Sequence, residues 1–342
     1  MPTVREIAQK AGVSKSTVSL VLNNKPGVTE RTRRRVLSAA QTLESQENTA
    51  YPLQSVSTVN KNGEALSIMV LHPPVLPSSY VFGEVLTGIQ DAATEQGVQL
   101  RLVTNSRDVS EQHVSRLYLT QENLRPDGVL IFGAQQEEPL LDKIREHDVP
   151  CVALGREARQ YAVSGIERDE CRYARQATRH LLELGHQHIA FIGGELAYDF
   201  THNRLKGYRQ AMESAGIAVT DAHVCLGGGR AATQNVLRNL PAVTALLFVN
   251  DGHAHAGLPV LRAHRLAVPD DISIVSFDDT DVAQQFDPPL TSISYDRYQE
   301  GRWAVKALLS QIQHAYIERV QIMFKAQLVV RGSTAPPRNQ PD

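Results

Sequence analysis

Apolar residues in the first 22 positions recur at helical spacing in two short stretches. Ile7, Ala8 and Ala11 share one face, and Val18 and Leu22 share another with Val21 beside them, as a period of about 3.6 residues requires. Between them stands Gly12-Val13, where a residue without a Cβ suits a sharp turn. Ser14 stands where an N-cap of the second stretch is expected. The pattern predicts a helix-turn-helix, with Ser14 to Leu22 as the helix that enters a DNA major groove. Asn23-Asn24-Lys25-Pro26-Gly27 is a turn cluster. A third helix is expected over 30–43, capped by Thr29, with Val36, Ala39, Ala40 and Leu43 covering the first two.

Residues 44–64 are polar, keep no period and read as a linker. From Ala65 onward short apolar runs alternate with helical patterns. The runs are Leu66–Leu71, Leu100–Thr104, Val129–Phe132, Cys151–Leu154, Ile189–Ile192, Val224–Leu226, Ala245–Val249, Ile272–Phe277 and Ile293–Tyr295. Strand–helix alternation predicts parallel sheets covered on both faces. About nine strands over ~270 residues exceed one comfortable sheet, so two lobes are expected. The domain reading is an all-α three-helix headpiece over 1–47, a linker over 48–64 and a two-lobed α/β core over 65–332. The tail, 333–342, with Pro336-Pro337 and Pro341, is expected to be disordered.

The total charge of −2 looks wrong for a DNA binder until it is divided. Residues 1–48 hold eight Lys and Arg against four acids, a net of +4, which leaves −6 for the remainder. Positive charge thus sits in the part that phosphate attraction requires. Lys15, Ser16 and Thr17 open the second helix and can donate to phosphates or base edges, while the Thr17 methyl can touch a thymine. A plain amphipathic hairpin with a solvated polar face is the bland alternative. No run of about 18 apolar residues exists, so no membrane span is expected. The N-terminus goes straight into the hairpin without an apolar signal segment, which points to the cytoplasm. Cys151, Cys171 and Cys225 form no CxxC pair and read as reduced and structural. His186 with His188, and His253 with His255, lack the further ligands of a zinc set, so neither a metal nor a cofactor is expected.

The chain resembles the LacI/GalR family of bacterial transcription regulators. The resemblance rests on Val4-Arg5-Glu6-Ile7-Ala8, on Ala11-Gly12-Val13-Ser14-Lys15-Ser16-Thr17-Val18-Ser19, and on Val21-Leu22-Asn23, Val28-Thr29 and Thr32-Arg33. It returns in Asn250-Asp251, in Val268-Pro269-Asp270-Asp271-Ile272 through Asp278-Asp279, and in Pro288-Pro289-Leu290-Thr291-Ser292-Ile293. It implies a periplasmic-binding-protein-like core, with lobe 1 over about 65–160 and 293–318 and lobe 2 over about 161–292 and 319–332. It implies DNA contacts from Thr3, Ser14, Lys15, Ser16, Thr17, Ser19, Leu20, Asn23 and Thr29. Leu20 stands where several relatives carry a polar base reader, so the operator cannot be copied from them. The family's hinge helix inserts a leucine into the minor groove. Here the proline–asparagine opening is missing, Pro52 sits where the helix should be under way, and Leu53 is the nearest wedge, one position off register.

Open α/β sheets bind ligands beyond the carboxyl ends of their strands. Asn250-Asp251 and Asp278-Asp279 follow two apolar runs, and Arg204 lies in the helical pattern after Gly193-Gly194. Such fixed polar groups suit a hydroxyl-rich ligand. By resemblance Arg204, Asn250 and Asp278 are effector ligands, and Phe82 matches an aromatic that stacks on the ligand. Asp278 as a helix N-cap, Asp251 as a structural cap and Phe82 as core are the bland readings. Tyr198 and Phe200 stand where many relatives have small or polar residues. Arg230, after Gly227-Gly228-Gly229, would favour an anionic effector if it faced the cleft; the glycines as an ordinary turn is the blander reading. The expectation is a DNA-binding regulator, a repressor in the first instance with an activator left open. It would act as a homodimer rather than a tetramer on operator DNA, and would be controlled by a sugar, phosphosugar or sugar acid, with a nucleobase as a further option. A solute-binding protein without DNA function, or an enzyme on the same scaffold, are the rivals. The basic headpiece argues against the first, and no catalytic constellation supports the second.

Overall fold

The computed structural model describes residues 4–22, 28, 32, 36, 59–60, 63–72, 80–104, 124–132, 139–155, 158, 162–314 and 319–338. The chain divides into two units, Met1–Val56 and Ser57–Asp342. In the first, α1 spans Val4–Ala11 and α2 spans Lys15–Leu22. Gly12 turns between them at φ +58, a conformation that favours glycine. Ser14 caps α2 as expected, its Oγ accepting from Thr17 N at 3.1 Å. Ile7, Ala8, Ala11, Val18 and Val21 form a small core. Val36 is buried with them, and the remainder of the third expected helix, apart from Thr32, falls outside the described residues. So do Thr3, Asn23, Thr29, Pro52 and Leu53.

The second unit begins, among described residues, with an antiparallel bridge between Val59 and Ala65, closed by Glu64 N donating to Asn60 Oδ1 at 3.0 Å. It then builds two six-stranded sheets. The first holds β1 (Ser67–His72), β2 (Gln99–Thr104), β3 (Gly128–Phe132), β4 (Cys151–Leu154), β5 (Ser164–Arg168) and β11 (Gln321–Phe324) in the order β11-β5-β4-β3-β1-β2, all parallel. The second holds β6 (Ile189–Gly193), β7 (Val224–Leu226), β8 (Ala245–Phe248), β9 (Ser273–Asp278), β10 (Thr291–Tyr295) and β12 (Ala326–Val329) in the order β12-β10-β9-β8-β6-β7. Only the β10–β12 pair is antiparallel. Both faces of each sheet are covered, which is why the strands read as continuous apolar runs. On β1, Ile68 and Val70 enter one core while Met69 and Leu71 enter the other. On β6, Ile189 and Phe191 alternate with Ala190 and Ile192 in the same way.

Helices α3 (Tyr80–Glu95), α4 (Pro139–Glu146) and α10 (Arg297–Gln313) belong to lobe 1. Helices α5 (Glu170–Glu183), α6 (Asp199–Ser214), α7 (Gly229–Asn239), α8 (Asp251–Ala263) and α9 (Asp281–Gln285) belong to lobe 2. A Cβ on Gly88 would collide with the Tyr298 carbonyl, so α3 and α10 cross closely because of that glycine.

The chain passes between lobes at Asp169, Asp296 and Lys325, each several residues beyond the lobe boundaries that the family resemblance implies. The first two of these residues cap the helices that follow, accepting from Arg172 N and Gln299 N. The difference has one cause at the first crossover. Ser164–Arg168 is a strand with buried Ser164 and Glu167, so it shows no apolar run. The tail needs correction as well, since residues 333–338 are ordered against lobe 2. Ser333 is fully buried, donates to the Ile274 carbonyl at 2.6 Å and accepts from Thr291 N at 2.8 Å. Ile274 N donates to the Ser333 carbonyl at 2.8 Å, which ties the tail to the start of the central strand β9, a contact that polar residues next to two prolines do not announce.

Candidate functional site

The carboxyl ends of the lobe-2 strands carry a buried cluster of charges. Arg204, in the second turn of α6, is only 2% exposed. Its Nε donates to Glu170 Oε2 at 2.7 Å, one Nη meets the Val249 carbonyl, and the other lies 3.4 Å from Tyr295 Oη and 3.6 Å from Asp278 Oδ1. The guanidinium lies 4.2 Å from the Phe277 ring centroid and 5.3 Å from that of Phe200. Burial opposes its charge, but Glu170, Tyr295 and Asp278 outweigh burial and raise its pKa. Burial likewise opposes the Glu170 charge, and Arg204 and Arg168 overcome it and hold the carboxyl below the usual range. Arg168, at the end of β5, bonds Glu300 of α10 and lies 3.7 Å from Glu170. The alternating run Asp278–Arg204–Glu170–Arg168–Glu300 therefore reaches from lobe 2 into lobe 1.

A second tie joins the lobes. Arg297 donates to both Glu84 oxygens, at 3.1 and 3.0 Å, and to the main-chain carbonyl of Asp278. Asp278 and Asp279 have φ of +99 and +50, a region that disfavours side chains and stores strain where neighbours over-determine it. Here Arg297 holds the first, and Arg331, 2.6 Å from Asp279, holds the second with Ser292 Oγ. Asp278 is not a helix cap, since Thr280 occupies that position of α9. Asn250 caps α8, accepting from His253 N at 2.8 Å. Asp251 is structural: it accepts from Ser276, Ser292 and Thr280, binding the ends of three strands together. Burial, then the charge of Asp278, pushes its pKa up to about 6.

The structure thus brings Arg204, Asp278 and Asn250 to one end of lobe 2, with Phe200 and Tyr198 stacked on each other at 5.4 Å beside them. Phe82 lies at the lobe-1 strand ends, 4.7 Å from His72 and 5.2 Å from Phe132. Arg230 is exposed in the first turn of α7. The preceding glycines form a turn, with Gly227 and Gly228 at positive φ, and Gly229 packs on the His253 backbone where a Cβ would collide. Sequence reasoning missed Arg168, Glu170, Tyr295, Arg297 and Glu300. The charged run Glu167-Arg168-Asp169-Glu170 was the available signal, since so many charges beside a crossover need partners. In the first unit, Lys15 is exposed and Thr17 half-buried on the α2 face. No helix among the described residues is long and apolar enough to cross a membrane.

Comparison with known proteins accounts for both units. Residues 3–48 match the model of the bacterial regulatory proteins of the lacI family, and residues 178–334 match a periplasmic binding protein-like domain. The transcriptional regulator CelR of Thermobifida fusca is 32% identical over 97% of this chain and 98% of its own length. The transcriptional repressor CytR of Escherichia coli K12 is 30% identical over 97% and 96%. The structure of a CelR–cellobiose complex superposes with a TM-score of 0.73 at 29% identity, covering 97% of this chain and all of the other. These relatives are regulators rather than enzymes, and two-lobed core, helix-turn-helix and full-length similarity agree: the chain belongs to the lacI family of bacterial transcriptional regulators.

Proposed function

We propose that this regulator is a cytoplasmic repressor that acts as a homodimer and changes its grip on operator DNA when a sugar binds between the core lobes. The observation that carries the effector half is the convergence of Arg204, Asn250 and Asp278 at the lobe-2 strand ends, with Asp278 tied through Arg297 to Glu84, two residues from the aromatic group of Phe82. Fixed polar groups near an aromatic ring suit a saccharide, with polar edges and apolar ring faces. The CelR relative supports the same class, since its structure holds cellobiose. Asp278 and Asn250 would bind ligand hydroxyls, and Arg204, engaged by the protein on every side, would hold Asp278 in place. Lys15, Ser16, Thr17, Ser19 and Leu20 would meet the major groove, two copies reading two half-sites. Thr3, Ser14, Asn23 and Thr29 would assist at the backbone.

The test is a thermal-unfolding screen of the full-length protein with cellobiose, D-ribose, D-glucose 6-phosphate, gluconate and adenine. A ligand that binds only the folded state raises the midpoint by mass action. A rise with a sugar is expected, and no response to any sugar overturns the reading. If the phosphosugar responds, Arg230→Ala should weaken it far more than a neutral sugar.

A further inference from the structure

Two polar groups converge beside Gly194, just past β6. A Cβ at Gly194 would lie 3.4 Å from His253 Nε2 and 3.8 Å from Thr201 Oγ1. Thr201, in the first turn of α6, is fully buried, and its hydroxyl has no hydrogen-bond partner. Buried hydroxyls are rarely left so, because the lost hydration is uncompensated. The His253 ring is fixed by Asn250, whose Oδ1 accepts from both His253 N and Nδ1 at 2.8 Å. A backbone N–H can only donate, so the atom it meets is the amide oxygen, and Nδ1 must then carry a proton. Burial pushes the pKa of His253 down and favours the neutral ring. In that tautomer Nε2 presents a lone pair, directed at the gap that Gly194 leaves open.

We infer that the gap bounded by Gly194, Thr201 and His253 is a hydroxyl-binding subsite of the effector cleft. Nε2 accepts the proton of a ligand hydroxyl, and the same ligand oxygen accepts from Thr201 Oγ1. The group taken up is a neutral hydroxyl, because a phosphate or carboxylate oxygen would set lone pair against lone pair at Nε2. All three residues lie at the strand ends that carry Asp278 and Arg204, whose charges act on the His253 ring. The inference rests on the sugar-effector reading and adds which residues choose the sugar.

The experiment is calorimetric titration of full-length wild type, Gly194→Ala, His253→Phe and His253→Gln with cellobiose, D-ribose and D-glucose 6-phosphate. Gly194 has no positive φ, so alanine fills the gap without backbone strain and keeps the histidine. For the sugar that wild type binds, affinity should fall about tenfold in Gly194→Ala and His253→Phe, the worth of one hydrogen bond left unmade. His253→Gln, which keeps an acceptor, should recover most of the loss. Equal affinity in wild type and Gly194→Ala overturns the subsite while the sugar reading stands, and the gap then holds only water. No binding of any sugar to wild type overturns the sugar reading and the subsite with it.

Discussion

The strand ends of the two lobes are held together by different chemistry. The strand ends of lobe 1 carry a ring cluster, with Phe82 between His72 and Phe132, and the largely buried charges Arg168, Arg297 and Glu300 of that lobe serve the ties to lobe 2. Lobe 2 brings charges, with Arg204, Glu170 and Asp278 almost wholly removed from water. The contrast teaches a division of labour. A buried charge holds its position only while its partners do, so lobe 2 is a rigid template. A ring cluster holds by area and shape and tolerates adjustment, so the lobe-1 ring cluster is the more adaptable wall.

The sharpest way to break this contrast is Glu170→Ala. It removes the carboxylate between Arg168 and Arg204, and taking the Nε partner from the buried Arg204, which keeps Asp278 at 3.6 Å, should cost about 3–5 kcal/mol. Urea unfolding of the full-length protein measures this. Phe82→Ala should cost only about 1–2 kcal/mol in the same assay, because the ring is half-buried and loses one stacked and one tilted contact. A cost for Phe82 equal to that for Glu170 would erase the distinction between template and wall. Glu84→Gln is smaller still. The Glu84 side chain is 48% exposed, so its bond to Arg297 should contribute less than about 1 kcal/mol. It should nonetheless speed hydrogen exchange in the first turn of α10, since Arg297 loses its lobe-1 anchor. Unchanged exchange would mean that Glu84 plays no part in holding the lobes.

The smallest effect concerns pH. Burial depresses the pKa of His186, which bonds Thr244, Ser273 and the Ala335 carbonyl and so fastens the tail. A depressed pKa means stability that is full above the ordinary 6.5 and is lost as pH falls through the lower folded value. Asp251, raised to about 6, works in the opposite sense as pH falls. Comparing wild type with His186→Gln cancels the Asp251 contribution. The wild type should lose more stability than the variant between pH 7.5 and 5.5, and parallel losses would contradict the assignment.

The sheets were legible because strands buried on both faces write themselves as apolar runs. The helix-turn-helix was legible because Gly12 and Ser14 fix its turn and cap locally. Ser164–Arg168, Gln321–Phe324 and Ala326–Val329 were not legible. The first buries polar side chains, and the other two are edge strands with partly exposed faces. At the site, Asp278 and Asn250 could be found from their position after apolar runs. Glu170 and Arg168 stood out only as members of a charged run without visible partners, because those partners, Arg204 and Glu300, lie 34 and 132 residues away respectively. His253 was visible only as one of a pair of histidines, and its role depends on a glycine and a threonine brought beside it by the fold.

The most direct measurement is anisotropy of full-length protein on labelled DNA from its own upstream region, against a scrambled duplex, at fixed salt, with and without the sugar that raises the unfolding midpoint. The account predicts binding at least about 1,000-fold tighter to one sequence than to the scrambled duplex. It also predicts a change of about tenfold or more when the sugar is added, as coupling between two sites requires. Equally weak, salt-sensitive binding to both duplexes, indifferent to the sugar, would contradict it.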